Sequence, residues 1–153
     1  MTAEIKVLGC SDEKVLASIA PGVFDCDVKE HWLSEFLGDP RHHLAVAIDA
    51  GLVVGFASAV HYVNPDKPPE LWINEIGVAP THRNQGLGKK LLRALFAVGR
   101  QFGCSEAWVL TDRSNPPRCG CMHQSAAPRF RRIRSGSRSV LTKGICLEAS
   151  EKL

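Results

Sequence analysis

The chain has 153 residues, 44% apolar and 23% charged, with a formal net charge of +3. That is the size and composition of one soluble globular domain with a substantial core. No apolar run approaches the roughly 18 residues of a membrane span. Met1-Thr-Ala-Glu-Ile-Lys6 lacks the basic start and apolar centre of a signal peptide, so a cytoplasmic protein is expected. The charge is unevenly spread. Residues 1–117 carry 11 Lys/Arg against 14 Asp/Glu, whereas 118–153 carry 8 against 2 together with Cys119, Cys121 and Cys146. Two chemically different segments meet near Pro117.

In chain order, Ile5 and Val7 alternate with polar neighbours and predict a short strand. Ser11, followed by Asp12-Glu13, predicts a helix N-cap and a helix through Ala20, stopped by Pro21-Gly22. A second helix is expected from Lys29 to Leu37. His43 to Ile48 and Leu52 to Tyr62 read as a hairpin turning at Asp49-Ala50-Gly51. Asn64 to Pro69 is a stiff loop. Leu71 to Val78 is a strand, with Leu71, Ile73, Glu75 and Gly77 alternating against Trp72, Asn74, Ile76 and Val78. The helix from Gln85 to Phe102 places Leu87, Leu91, Leu95, Val98 and Phe102 on one stripe, widened by Leu92 and Phe96, with Gly103 as its stop. Glu106 to Thr111 is apolar enough for a central strand.

The most informative stretch joins the strand ending at Val78 to that long helix: Val78-Ala-Pro-Thr-His-Arg83-Asn-Gln-Gly86-Leu-Gly88-Lys-Lys-Leu91. A strand, a tight turn and a helix start aim backbone N–H groups and the positive end of a helix dipole at one point, which suits a phosphate or pyrophosphate. Gly86 and Gly88 let an anion approach, and Arg83 and Lys89 add charge. A Walker loop would need a hydroxyl after Gly88-Lys89, where Lys90 stands. A dinucleotide fingerprint would need glycine at Leu91. The bland alternative is a structural strand–turn–helix with a Gly-rich start. Arg83-x-x-Gly86-x-Gly88 after Ile76-Gly-Val78-Ala-Pro80 resembles the acetyl-CoA pyrophosphate loop of the GNAT N-acetyltransferase superfamily. The resemblance covers about residues 4–117, in the order β-α-α-β-β-β-α-β.

The resemblance implies an α/β (α+β) fold, a mixed central sheet flanked by helices. It implies a pantetheine arm between two splayed parallel strands, here those ending at Val78 and Thr111. Backbone groups of Ile76, Gly77 and Val78 would pair with the arm. Arg83, Asn84, Gln85, Gly86, Leu87, Gly88 and Lys89 would hold the pyrophosphate, and Asn115 would contact the cofactor near its acetyl end. The implied reaction is acetyl transfer from acetyl-CoA to a primary amine by direct attack in a ternary complex, with no metal. An amine with a pKa near 10.4 is only about one part in a thousand neutral at pH 7, so a base must remove its proton. Glu75, beside the expected thioester, is the candidate catalytic base, with Glu70 in reserve; the alternative for Glu75 is a surface or salt-bridged carboxylate. Asp66, Glu70, Glu75 and Asp112 would favour a cationic acceptor. Glu70-Leu-Trp-Ile-Asn-Glu-Ile-Gly-Val78 is similar to small aminoglycoside acetyltransferases, a class associated with antibiotic resistance. Protein or peptide N-acetylation, and a catalytically impaired CoA-binding remnant, are the alternative functions.

His61 and Tyr62 read as acceptor-pocket or strand-end residues, and His42-His43 as a surface pair rather than a metal site. Cys10, Cys26 and Cys104 read as small buried residues in a reducing compartment.

After Asn115-Pro116 the family pattern breaks. The family continues with a helix of the type Ala-Ala-x-x-Leu-Tyr, whose tyrosine is placed to protonate the departing thiolate. This chain reads Pro117-Arg-Cys-Gly-Cys-Met-His-Gln124. Loss of one G from a coding run for Asn-Pro-Ala-Ala-Met-Arg-Leu-Tyr-Ala-Ser reproduces Asn115 through His123. The expectation is therefore a GNAT domain at 1–117, incomplete, and an aberrant basic tail at 118–153 translated out of frame, with the family's C-terminal helix and strands missing or aberrant. Comparing the gene with a close relative tests this. Low stability, reduced turnover and self-association, a homodimer among the forms, would follow from the uncovered sheet edge. Cys119-x-Cys121-x-His123 is not a usual zinc spacing. The five arginines between Arg129 and Arg138 come without a nucleic-acid module, so no specific nucleic-acid partner is expected.

Overall fold

The computed structural model describes residues 3–112, 128–131 and 140–146. The strands are β1 (Glu4–Leu8), β2 (His42–Asp49), β3 (Leu52–Tyr62), β4 (Glu70–Val78), β5 (Glu106–Asp112), β6 (Pro128–Arg131) and β7 (Val140–Cys146). The helices are α1 (Glu30–Gly38) and α2 (Leu87–Gln101), and 3-10 turns cover Glu13–Ala17 and Pro80–His82. One sheet runs in the order β1-β2-β3-β4-β5-β7-β6. Its neighbours are antiparallel except β4 and β5, which are parallel. This is the mixed sheet with flanking helices that the sequence predicts.

Of the predicted stripe of α2, Leu87, Leu91, Leu92, Leu95 and Phe96 are buried against the sheet, whereas Val98 is half-buried and Phe102, just past the helix end, is exposed. Ala45, Ala47, Ala57 and Ala59 on the facing strands are fully buried. Their small side chains let the helix sit close, and each leucine so buried stabilises the fold by roughly 1.5–3 kcal/mol. The helix predicted from Ser11 to Ala20 is replaced by the shorter 3-10 turn. Asp12 caps the preceding bend through Gly9 N (2.9 Å) and receives Lys6 Nζ at 2.7 Å. Ser18 O and Ala20 N then bond to Val53 N and O, each at 2.9 Å, which draws the chain out of helix and along β3.

The edge of β5 was expected to lie open. Instead β7 pairs along it from Glu106↔Cys146 to Asp112↔Val140, and β6 lies outside β7. Val140, Leu141, Thr142 and Ile145 are strand-forming residues, which accounts for the pairing. Cys119, Cys121 and His123 lie outside the described residues, and no group of three or more metal-ligating side chains forms among the described ones. No helix among the described residues is long and apolar enough to cross a membrane.

His42-His43 is not a surface pair. His43 is buried, its Nε2 lies 2.8 Å from Nδ1 of His61, and both rings pack on Phe102 at the C-terminal end of α2. His42 is half-buried and stacks on Phe36. Burial, then the neighbouring His61 and His42, hold the His43 pKa down to about 4. The unfolded chain, with histidine near 6.5, therefore takes up this proton first. Stability is complete above about pH 6.5 and falls as pH drops toward 4, by on the order of 2 kcal/mol. Melting temperature measured from pH 7 to 4.5 should fall, and the slope should flatten in a His43→Leu/His61→Leu variant.

Candidate active site

β4 and β5 pair only from Glu70↔Glu106 to Ile73↔Val109. Beyond that point Asn74 to Val78 keep β3 on one side, through Ser58↔Glu75 to Gly55↔Val78, and have no β5 partner on the other. The strands thus part at the end from which the predicted loop leaves. Backbone groups of Ile76, Gly77 and Val78 lie along that opening.

The loop is held from several sides. Ala79 N donates to Val54 O at 2.9 Å. His82 Nε2 lies 3.1 Å from Asp49 Oδ2 on the β2–β3 hairpin, and His82 Nδ1 lies 2.8 Å from Thr81 Oγ1. Arg83 Nε donates back to Val78 O at 3.2 Å, and Gln85 Nε2 to Thr81 O at 3.4 Å. Asn84 and Gly86 are left-handed, with φ of 62° and 76°. A Cβ on Gly86 would meet nothing within 4 Å, so its conformation, not crowding, calls for glycine. The first bond of α2 is Lys90 N to Gly86 O at 3.2 Å. The amides of Leu87, Gly88 and Lys89 precede it and stand at the positive end of the helix. Arg83, Asn84, Gln85 and Gly86 are exposed, Gly88 and Lys89 half-buried, and Leu87 turns into the core. The donor set suits a diphosphate. His82, which pins the loop, was not singled out from the sequence; its partner is distant in the chain. Asn115 lies outside the described residues.

Glu75 is placed by a register shift. The β3–β4 pairing passes from Ala59↔Ile73 to Ser58↔Glu75, leaving Asn74 as an extra residue in β4. A bulge of this kind reverses the alternation beyond it. Leu71 and Ile73 face the α2 core, but Glu75 and Gly77 turn to the opposite face, that of Trp72. The unbroken alternation read from the sequence is therefore corrected. The reversal delivers the Glu75 carboxylate into a cavity of about 410 Å³ beside the opening.

The cavity lies between the sheet, α1 and the segment leading into α1. Phe24, Trp32, Phe36 and Phe56 supply aromatic walls, Ser58 and Glu75 lie on the sheet side, and Asp25, Asp27 and Lys29 add charge. Phe24 stacks on Phe56 with ring centroids 3.9 Å apart. The segment is anchored at Val23, whose carbonyl lies so close to β4 that a Cβ on Gly77 would stand 2.0 Å from it. Of Asp66, Glu70 and Glu75, only Glu75 lines this cavity; the side chain of Asp112 lies outside the described ones. Glu70 is bonded to Lys67 Nζ at 2.5 Å at the far end of β4, and Asp66 is exposed in the Pro-rich loop. Asp25 and Asp27 were missed; their spacing on an extended segment after Pro21-Gly22 was the available signal. His61 packs away from the cavity on His43. Cys10 and Cys26 are exposed rather than buried, because one sits in a bend and the other on the cavity segment; Cys104 is buried as expected.

The family model for the acetyltransferase (GNAT) family matches residues 14–125. Streptothricin acetyltransferase of Streptomyces lavendulae is 37% identical over 79 residues, which is 52% of this chain and 40% of that protein's length. The chain thus spans well under half of that curated relative. Among solved structures, an aminoglycoside acetyltransferase from an uncultured soil metagenomic sample superposes with a TM-score of 0.74 at 18% identity, over 90% of this chain and 98% of the other. NAA60 of Arabidopsis thaliana, solved with acetyl-CoA, gives 0.69 at 14% identity over 97% and 100%. These likenesses show a shared fold. With the family model covering most of its length, the chain belongs to the acetyltransferase (GNAT) family.

Proposed function

We propose that this chain is an N-acetyltransferase that moves acetyl from acetyl-CoA to a primary amine of a small cationic acceptor, of the aminoglycoside, streptothricin or polyamine kind. The observation that carries the reading is the bulge at Asn74, which turns Glu75 into an acid-rimmed cavity beside the parted ends of β4 and β5.

Acetyl-CoA supplies the acetyl group as a thioester. The amides of Leu87 to Lys89, with Arg83 and Lys89, bind the diphosphate. Ile76 to Val78 present backbone groups to the arm as an added strand would. Glu75 takes a proton from the acceptor's ammonium, directly or through water. The freed nitrogen forms a bond to the carbonyl carbon, the carbon–sulfur bond breaks, and the sulfur leaves and takes up the second proton that the nitrogen gives up as the amide forms. Amide and free thiol are the products. The family's thiolate-protonating tyrosine has no counterpart at the matching positions after Asn115, which fits a lower turnover; thiols near pKa 8.5 leave without much help.

Asp25 and Asp27 draw the acceptor's further positive charge. Both are exposed, and Asp27 lies 3.7 Å from Lys29, so each contributes little by itself. An Asp25→Asn/Asp27→Asn variant should raise the acceptor KM roughly three- to tenfold, leave the acetyl-CoA KM unchanged, and lose most of the salt dependence of the acceptor KM.

A thiol-release assay with acetyl-CoA over aminoglycosides, streptothricin, polyamines and lysine-bearing peptides tests the reading. Turnover with the small cations supports it. Turnover confined to peptides favours protein acetylation, and cofactor binding without turnover favours the remnant.

A further inference from the structure

Ser58 is the one hydroxyl on the cavity lining among the described residues, and neither the family match nor the proposed chemistry uses it. It sits mid-strand in β3 between Ala57 and Ala59, only 8% exposed. Among the described residues no group makes a hydrogen bond to its side chain. Its oxygen is not one of the enclosed unpaired side-chain atoms, so it opens into the cavity that Ser58 lines. Its cross-strand partner is Glu75, on the same face, and such pairs hold their Cβ atoms about 4.5–5.5 Å apart. That spacing lets a hydroxyl oxygen and a carboxylate oxygen accept from one nitrogen.

We propose that Ser58 is a positioning residue for the acceptor amine. The inference rests on the acetyltransferase reading above. A neutral primary amine has two N–H groups and one lone pair. Ser58 Oγ accepts from one N–H, which stays on the nitrogen throughout. The other is the N–H lost as the amide forms, Glu75 having first taken the ammonium's proton. The lone pair is then aimed at the opening between β4 and β5. A deprotonated secondary amine has one N–H, the one lost as the amide forms, so Ser58 keeps no partner through the reaction and the site selects primary amines.

The test uses the full chain, wild type and Ser58→Ala, with cadaverine and its N,N′-dimethyl derivative. Wild type should prefer cadaverine by about tenfold or more in kcat/KM, the size of one hydrogen bond. Ser58→Ala should lose about tenfold on cadaverine and most of that preference, with the acetyl-CoA KM unchanged and the melting temperature no lower. Unchanged preference, or a lowered melting temperature with all constants impaired, would overturn the assignment without touching the enzymatic reading. If wild type acetylates no amine, that reading fails by itself. Calorimetric titration with cadaverine then decides on Ser58: binding weakened in Ser58→Ala keeps the amine contact, and equal or absent binding removes it.

Discussion

Glu75→Gln should lower kcat by roughly 10²–10⁴, the usual worth of a positioned base, while acetyl-CoA binding stays as in wild type. Glutamine keeps the size and hydrogen-bonding reach of the side chain but takes no proton at neutral pH. The acceptor must then arrive already neutral. Residual turnover in the variant should therefore climb with pH, about tenfold per unit, until the acceptor's own pKa near 10 is approached. The wild-type profile should be flatter over the same range. Steady-state kinetics from pH 6 to 9.5 on both proteins reads this. A variant within threefold of wild type at pH 7 would move the base elsewhere.

The second large effect is expected at Gly77. A methyl group there would stand 2.0 Å from the Val23 carbonyl oxygen and 2.6 Å from Phe56 Cε1. The first of these is backbone, so no rotamer change relieves it. Val23 is 3% exposed and anchors the segment that carries Phe24, Asp25 and Asp27 over the sheet. Gly77→Ala should lift that segment, break the Phe24–Phe56 stack, and cost about 3 kcal/mol, the upper end for overpacking. For a chain of this length that is a melting-temperature drop of roughly 6–12 °C. Because the segment forms a wall of the cavity proposed for the acceptor, the acceptor KM should rise more than the acetyl-CoA KM. Calorimetry with two-substrate kinetics checks both; a stable variant with normal acceptor affinity would show that the contact does not shape the site.

The phosphate loop and α2 were legible from sequence because their determinants are local. A left-handed glycine, a helix start and an apolar stripe are all set by residues a few positions apart. The parallel parting of β4 and β5 followed from the family resemblance. The face of Glu75 was not legible. It depends on an extra residue, Asn74, that only the pairing with β3 reveals. Asp25 and Asp27 were missed for a related reason: they reach the cavity because Val23 crosses β4 at Gly77, a contact between distant segments. The same kind of distant pairing, Ile19 against Val53, shortened the first predicted helix to a 3-10 turn. At β5, pairing with Val140–Cys146 covers an edge that composition alone left open.

The central claim is that residues 83–89 hold the diphosphate of acetyl-CoA. Titration calorimetry of acetyl-CoA into the full chain and into a Gly86→Asp variant measures this most directly. The variant places a carboxylate, at a left-handed position, where the diphosphate should lie. The account predicts one-to-one binding by the unaltered chain that weakens with added salt and falls at least tenfold in the variant, the order expected when a charge-assisted contact is lost. Absence of binding, or equal binding by both proteins, would contradict it.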